Sequence, residues 1–98
     1  MATNSEFIKE IADHVAKCGG TYSQWYAGVA ANARTRLFND HNVNEKNDAW
    51  IFRNCANTDQ ARAVEDHFLN KGMKGGPGGG DDDTTYVYAY KITSTTKE

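Results

Sequence analysis

Cysteine, proline and charge of one sign are all scarce in this chain, and each scarcity removes a class of protein. The two cysteines, Cys18 and Cys55, are isolated thiols with no CxxC spacing, so reduced cysteines and a cytoplasmic setting are the expectation. His14, His41 and His67 show no HxxxH spacing, which leaves zinc without a ligand set. No apolar run approaches the roughly 20 residues that span a bilayer. The opening residues Met1 to Ser5 also lack the apolar core of a signal peptide. Eleven Lys and Arg face thirteen Asp and Glu, a net charge of −2 with a pI near 5.9. There is no global basic field, so any nucleic-acid contact must be local.

What is present fits one domain covering residues 1–98, with 39% hydrophobic residues, a lone Pro77 and no internal repeat. Phe7, Ile8, Ile11, Ala12 and Val15 recur at helical spacing before Gly19 and Gly20, which predicts a helix over 5–18. Aromatic and β-branched residues interrupted by Gly28 predict a strand over 24–30 that another group approaches closely. Asn32 can cap a helix over 33–41, with Ala33 and Leu37 inward and Arg34 and Arg36 to either side. The near-continuous apolar run within 48–54 reads as a second strand, central or covered on both faces. Thr58 can cap a helix over 58–71 that Gly72 ends.

A glycine- and aspartate-rich loop follows over 72–83. Asp81, Asp82 and Asp83 could meet a cation there, and a solvated linker is the simpler reading. Alternation in 84–93 predicts a strand with Tyr86, Tyr88 and Tyr90 on one face and Val87 and Ala89 on the other. The tail after Thr93 should fray. The expected fold is α+β with an α/β-like element order: a small three-stranded sheet flanked by three helices.

Glu65 is the informative residue. At about 100° per residue it falls among Ala61, Val64, Phe68 and Leu69, so its carboxylate should point into the protein. A buried carboxylate costs several kcal/mol unless it is paired, protonated or bound to metal. Two readings follow: a salt bridge to a core-edge arginine such as Arg36 or Arg53, or a metal-binding or acid-base carboxylate.

Tyr26-Ala27-Gly28, Arg36 ten residues after Tyr26 and followed by Leu37, His41, and Glu65 on a later helix together resemble the GIY-YIG nuclease superfamily. The resemblance spans about Trp25 to Leu69, a little under half of the chain. Two features depart from the family. Gly20-Thr21-Tyr22 lies too close to Trp25 to form the family's opening strand, and no equivalent is evident for the asparagine often found beyond the glutamate helix. A circular permutation would explain the first departure if the C-terminal strand stands in for the opening one. That idea requires residues 86–92 to pair with residues 25–29.

The resemblance implies phosphodiester hydrolysis with one divalent ion, Mg²⁺ or Mn²⁺, held by Glu65. It further implies that Arg36 stabilises charge on the phosphate, that Tyr26 or a C-terminal tyrosine such as Tyr88 handles the attacking water, and that His41 stands near the family's helix-end His or Tyr. Arg34, Arg53, Arg62 or Lys91 would border the nucleic acid, DNA or RNA. The alternative is an inactive scaffold that binds or inhibits a protein partner, of phage or mobile-element origin. A monomer or weak homodimer is expected.

Overall fold

Thr3 starts the first helix with a capping box. The Glu6 amide donates to its hydroxyl, and the Thr3 amide donates back to the Glu6 carboxylate. Helix α1 (Asn4–Cys18) buries Phe7, Ile11 and Val15 and ends where Gly19 and Gly20 adopt φ of +89° and +93°. The computed structural model describes residues 3–75 and 84–97. The reading of Asp81, Asp82 and Asp83 therefore lies outside the described residues.

After a short 3₁₀ turn, strand β1 (Trp25–Ala30) is buried along its whole length. Strand β2 (Trp50–Asn54), helix α2 (Thr58–Asn70) and strand β3 (Tyr86–Lys91) follow in that order. The fold is a small α+β domain whose sheet runs β1-β3-β2, antiparallel at both pairings. Among the described residues, no helix is long and apolar enough to cross a membrane.

Two corrections concern placement. Strand β2, expected to be central or covered on both faces, lies at the edge, and the last strand in the sequence takes the centre. The apolar character of β2 comes instead from cover on its faces, with Ile51 buried and Trp50 and Phe52 half-buried. Asn57 rather than Thr58 caps α2, its side chain accepting from the Gln60 amide at 2.8 Å.

Period-two alternation sorts the sheet into two faces. Trp25, Ala27, Val29, Ile51, Val87 and Ala89 form one core with α1 and with Ala61, Val64 and Phe68 of α2. On the other face Tyr26, Tyr88 and Tyr90 pack with Ala33, Leu37 and Val43. The intervening helix starts where the Asn32 side chain accepts from the Thr35 amide at 3.1 Å, as a cap should. It then widens into a π-helix over Thr35–Asp40, which the sequence does not announce. In this wider turn the His41 amide donates to the Arg36 carbonyl, five residues back, at 2.9 Å.

The C-terminal tail is a third correction. Instead of fraying after Thr93, it folds back: the Lys97 amide donates to the His41 carbonyl at 2.7 Å, and Asn42 Nδ2 donates to the Thr95 carbonyl at 2.8 Å.

Candidate active site

The tyrosine-bearing face gathers residues far apart in sequence around one hydroxyl. In the β1–β3 register Tyr26 lies opposite Tyr90 and Gly28 lies opposite Tyr88. With no side chain at Gly28, the Tyr88 ring lies over bare backbone. A Cβ there would stand 2.5 Å from Tyr88 Oη. The Tyr26 ring stacks on Tyr90 at 5.2 Å and on Tyr88 at 6.5 Å between centroids. Tyr90 is thus the tyrosine directly across from Tyr26, and both tyrosine hydroxyls reach His41, Tyr88 at Nε2 and Tyr90 at Nδ1.

His41 Nε2 and the Tyr88 hydroxyl are 2.8 Å apart, and His41 Nδ1 lies 2.6 Å from the Lys97 carbonyl oxygen. A carbonyl can only accept, so Nδ1 carries a hydrogen, with the Tyr90 hydroxyl 3.1 Å from the same nitrogen, and when the ring is neutral Nε2 accepts from Tyr88. Arg36, reaching in from the π-helix, interacts with Tyr88 and forms an ion pair with Asp40 at 3.2 Å. Burial pulls the Arg36 guanidinium down, but Tyr88 and Asp40 outweigh it and leave it raised. Burial pushes the Tyr88 phenol up to about 12; Arg36 opposes the shift, while Tyr26 and the charge of Glu65 add to it. At neutral pH Tyr88 is therefore a protonated donor. Only Arg36 of the five expected catalytic residues is open to solvent, with 49% of its side chain exposed. Tyr26, His41, Glu65 and Tyr88 are buried.

Glu65 points inward as expected, with 6% exposure. The salt-bridge reading fails for both named arginines: Arg36 pairs with Asp40, and Arg53 pairs with Glu10 at 2.7 Å. Among the described residues Glu65 forms no ion pair or hydrogen bond of its own. Burial raises its carboxyl above the usual range and Asp66 adds to the rise, while Arg62 opposes it. No group of three or more His, Cys, Asp and Glu that could hold a metal occurs among the described residues. A single carboxylate fits an ion that keeps most of its waters, as Mg²⁺ and Mn²⁺ do, and does not fit tetrahedral zinc.

Of the four expected nucleic-acid residues, Arg34 and Arg53 line one groove, and Arg62 and Lys91 lie elsewhere. Arg34 stands over the rings of Phe38 and Phe52 and pairs with Glu45. An open groove of about 330 Å³ at the β2 edge is lined by Arg34 and Arg53 together with His14, Trp50, Ile51 and Phe52. Arg62 sits on α2 near Glu65. Lys91 follows the alternation of Val87 and Ala89, so it belongs to the helix-covered face, away from Tyr88.

The sequence offers Tyr90 among the C-terminal tyrosines, whereas sequence reasoning missed the Lys97 carbonyl and the pairing of Cys18 with His14. The alternation of the last strand already places Tyr90 beside Tyr88, and its hydroxyl donates to the Lys97 carbonyl at 3.1 Å. The Lys97 carbonyl itself carries no side-chain signal. Cys18 Sγ lies 3.5 Å from His14 Nε2, a pair legible from its i,i+4 spacing.

Comparison of the chain with protein-family models, with curated proteins and with solved structures finds no match.

Proposed function

We propose that this protein is a metal-dependent nuclease working on the GIY-YIG pattern, with the family's opening strand moved to the C-terminus. The observation that carries the reading is that residues far apart in sequence meet at Tyr88: its hydroxyl bonds to His41, its ring stacks on Tyr26 and Arg36 stands beside it. Glu65 is meanwhile buried on helix α2 with no arginine ion-paired to it among the described residues. Support also comes from the antiparallel pairing of β3 with β1, which the permutation requires.

Glu65 would hold Mg²⁺ or Mn²⁺, which supplies positive charge to the scissile phosphate. Arg36, the exposed member, meets the charge that grows on the phosphate oxygens. Tyr88 passes its proton to His41 Nε2, and the oxygen left beside Arg36 takes a proton from the attacking water as that water bonds to phosphorus. The P–O bond to the leaving strand breaks, with its oxygen taking a proton from solvent. Tyr26 holds both rings in place. Arg34 and Arg53 offer the backbone of DNA or RNA a contact, beside Trp50 and Phe52, on which bases can stack. A cytoplasmic setting suits Cys18 and Cys55, neither of them in a disulfide.

The rival reading is an inactive scaffold that binds a protein partner, favoured by the pairing of Arg34 and Arg53 with carboxylates. The test is cleavage of single- and double-stranded DNA and RNA with Mg²⁺ or Mn²⁺. Wild type should cut, and Glu65→Gln and Arg36→Ala should each lose at least about 100-fold. Folded wild type that cuts none of these substrates sinks the nuclease and leaves the scaffold.

A further inference from the structure

The geometry points to the backbone carbonyl of Lys97 as the positioning group for His41: the C-terminal tail locks the imidazole in the tautomer that lets it take the Tyr88 proton. This inference rests on the nuclease reading for its catalytic consequence, though not for its structural part.

Four hydrogen bonds hold the tail to this spot. The Lys97 amide donates to the His41 carbonyl at 2.7 Å, and His41 Nδ1 donates to the Lys97 carbonyl at 2.6 Å. The Tyr90 hydroxyl donates to the same carbonyl at 3.1 Å, and Asn42 Nδ2 donates to the Thr95 carbonyl at 2.8 Å. The amide and carbonyl of Lys97 thus clasp the backbone and the ring of one residue.

Free neutral histidine carries its hydrogen on either nitrogen. Here Nδ1 has two neighbours: the Lys97 carbonyl oxygen at 2.6 Å, which can only accept, and the Tyr90 hydroxyl at 3.1 Å, which gives its own hydrogen to that carbonyl. The ring hydrogen therefore sits on Nδ1, and the neutral ring leaves Nε2 as an acceptor. Tyr88 stands on the Nε2 side at 2.8 Å. With the opposite tautomer, Nε2–H would donate to the Tyr88 oxygen, and the hydroxyl could no longer give its proton to the ring. The tail acts through His41 and touches no reacting atom. Because the acting atom is a main-chain oxygen, the identity of residue 97 is immaterial and its position is essential.

The test reads the tautomer directly, from the ¹⁵N shifts and long-range proton couplings of His41 in ¹⁵N-histidine-labelled protein near pH 8. The full chain and Lys97→Ala should both show Nδ1–H, and a chain ending at Thr95 should lose it in favour of Nε2–H. The truncated chain should also lose about 10- to 100-fold in kcat with KM nearly unchanged, as when the orienting partner of a functional histidine is removed. Lys97→Ala should keep wild-type kcat.

Nε2–H in the full chain overturns the proposal without any variant, even if the truncated chain fails to fold. Retention of Nδ1–H after truncation overturns it as well, as does loss of Nδ1–H in Lys97→Ala. A truncated chain with the switched tautomer and wild-type kcat overturns the catalytic consequence. If wild type shows Nδ1–H but cuts nothing, the nuclease reading fails alone and the tautomer lock stands.

Discussion

Gly28→Ala should be among the most damaging single-methyl additions in this protein, and its damage should pass through Tyr88. The added Cβ would stand 2.5 Å from Tyr88 Oη, 2.6 Å from Cζ and 3.0 Å from Cε2. Carbon contacts are comfortable only at about 3.5–4.0 Å, so the ring must move by roughly 1 Å. It has nowhere easy to go: Tyr88 is 1% exposed, and its hydroxyl is held by His41 at 2.8 Å. Overpacking of this kind costs about 1–3 kcal/mol. Losing the buried hydrogen bond leaves a polar group unsatisfied for about 1–3 kcal/mol more.

The sum, about 2–6 kcal/mol, corresponds to a fall in melting temperature of about 10–50 °C for a domain of this size. Urea unfolding at 15 °C measures it directly. The mechanism is isolated by a double-mutant cycle with Tyr88→Leu, which removes the clashing atoms. In that background the penalty of Gly28→Ala should shrink to within about 0.5 kcal/mol of zero. Stability unchanged by Gly28→Ala, or a penalty equally large in the Tyr88→Leu background, refutes the close approach of ring to strand.

Three further outcomes are expected. Burial raises the Glu65 carboxyl in the folded state, so the folded protein binds its proton more tightly than the unfolded chain does. Stability should therefore fall as pH rises through the window from the unfolded value near 4.5 to the raised folded value. Glu65→Gln should flatten that slope and be more stable than wild type at pH 7; melting curves from pH 4 to 7 that superimpose would contradict it. Adding Mg²⁺ or Mn²⁺ at neutral pH should raise the melting temperature of wild type, by about 2.7 kcal/mol in stability at one hundred times Kd, and leave Glu65→Gln unmoved. Cys18 is exposed, whereas burial pushes the Cys55 thiol up. A thiol reagent at pH 8 should therefore label Cys18 rapidly in the native state and Cys55 only after denaturant is added; fast labelling of both would show that the packing around Cys55 opens readily.

Much of this architecture is legible in the residues. Side-chain spacing places the elements to within two residues at most ends, because amphipathic periods of 3.6 and 2 survive in any packing that buries one face. The inward position of Glu65 and the shared face of Tyr86, Tyr88 and Tyr90 follow from the same periodicity. Strand order does not, because β2 and β3 are both apolar and only the assembled layers decide which lies in the middle. Which tyrosine lies over Gly28 and which stacks on Tyr26 depends on register, which sets Gly28 opposite Tyr88 and Tyr26 opposite Tyr90. The π-helix rests on main-chain hydrogen bonds, and the clasped tail offers its partners only main-chain groups, which almost every residue carries. No residue code marks them, so the tail oxygen on His41 belongs to the tertiary structure alone.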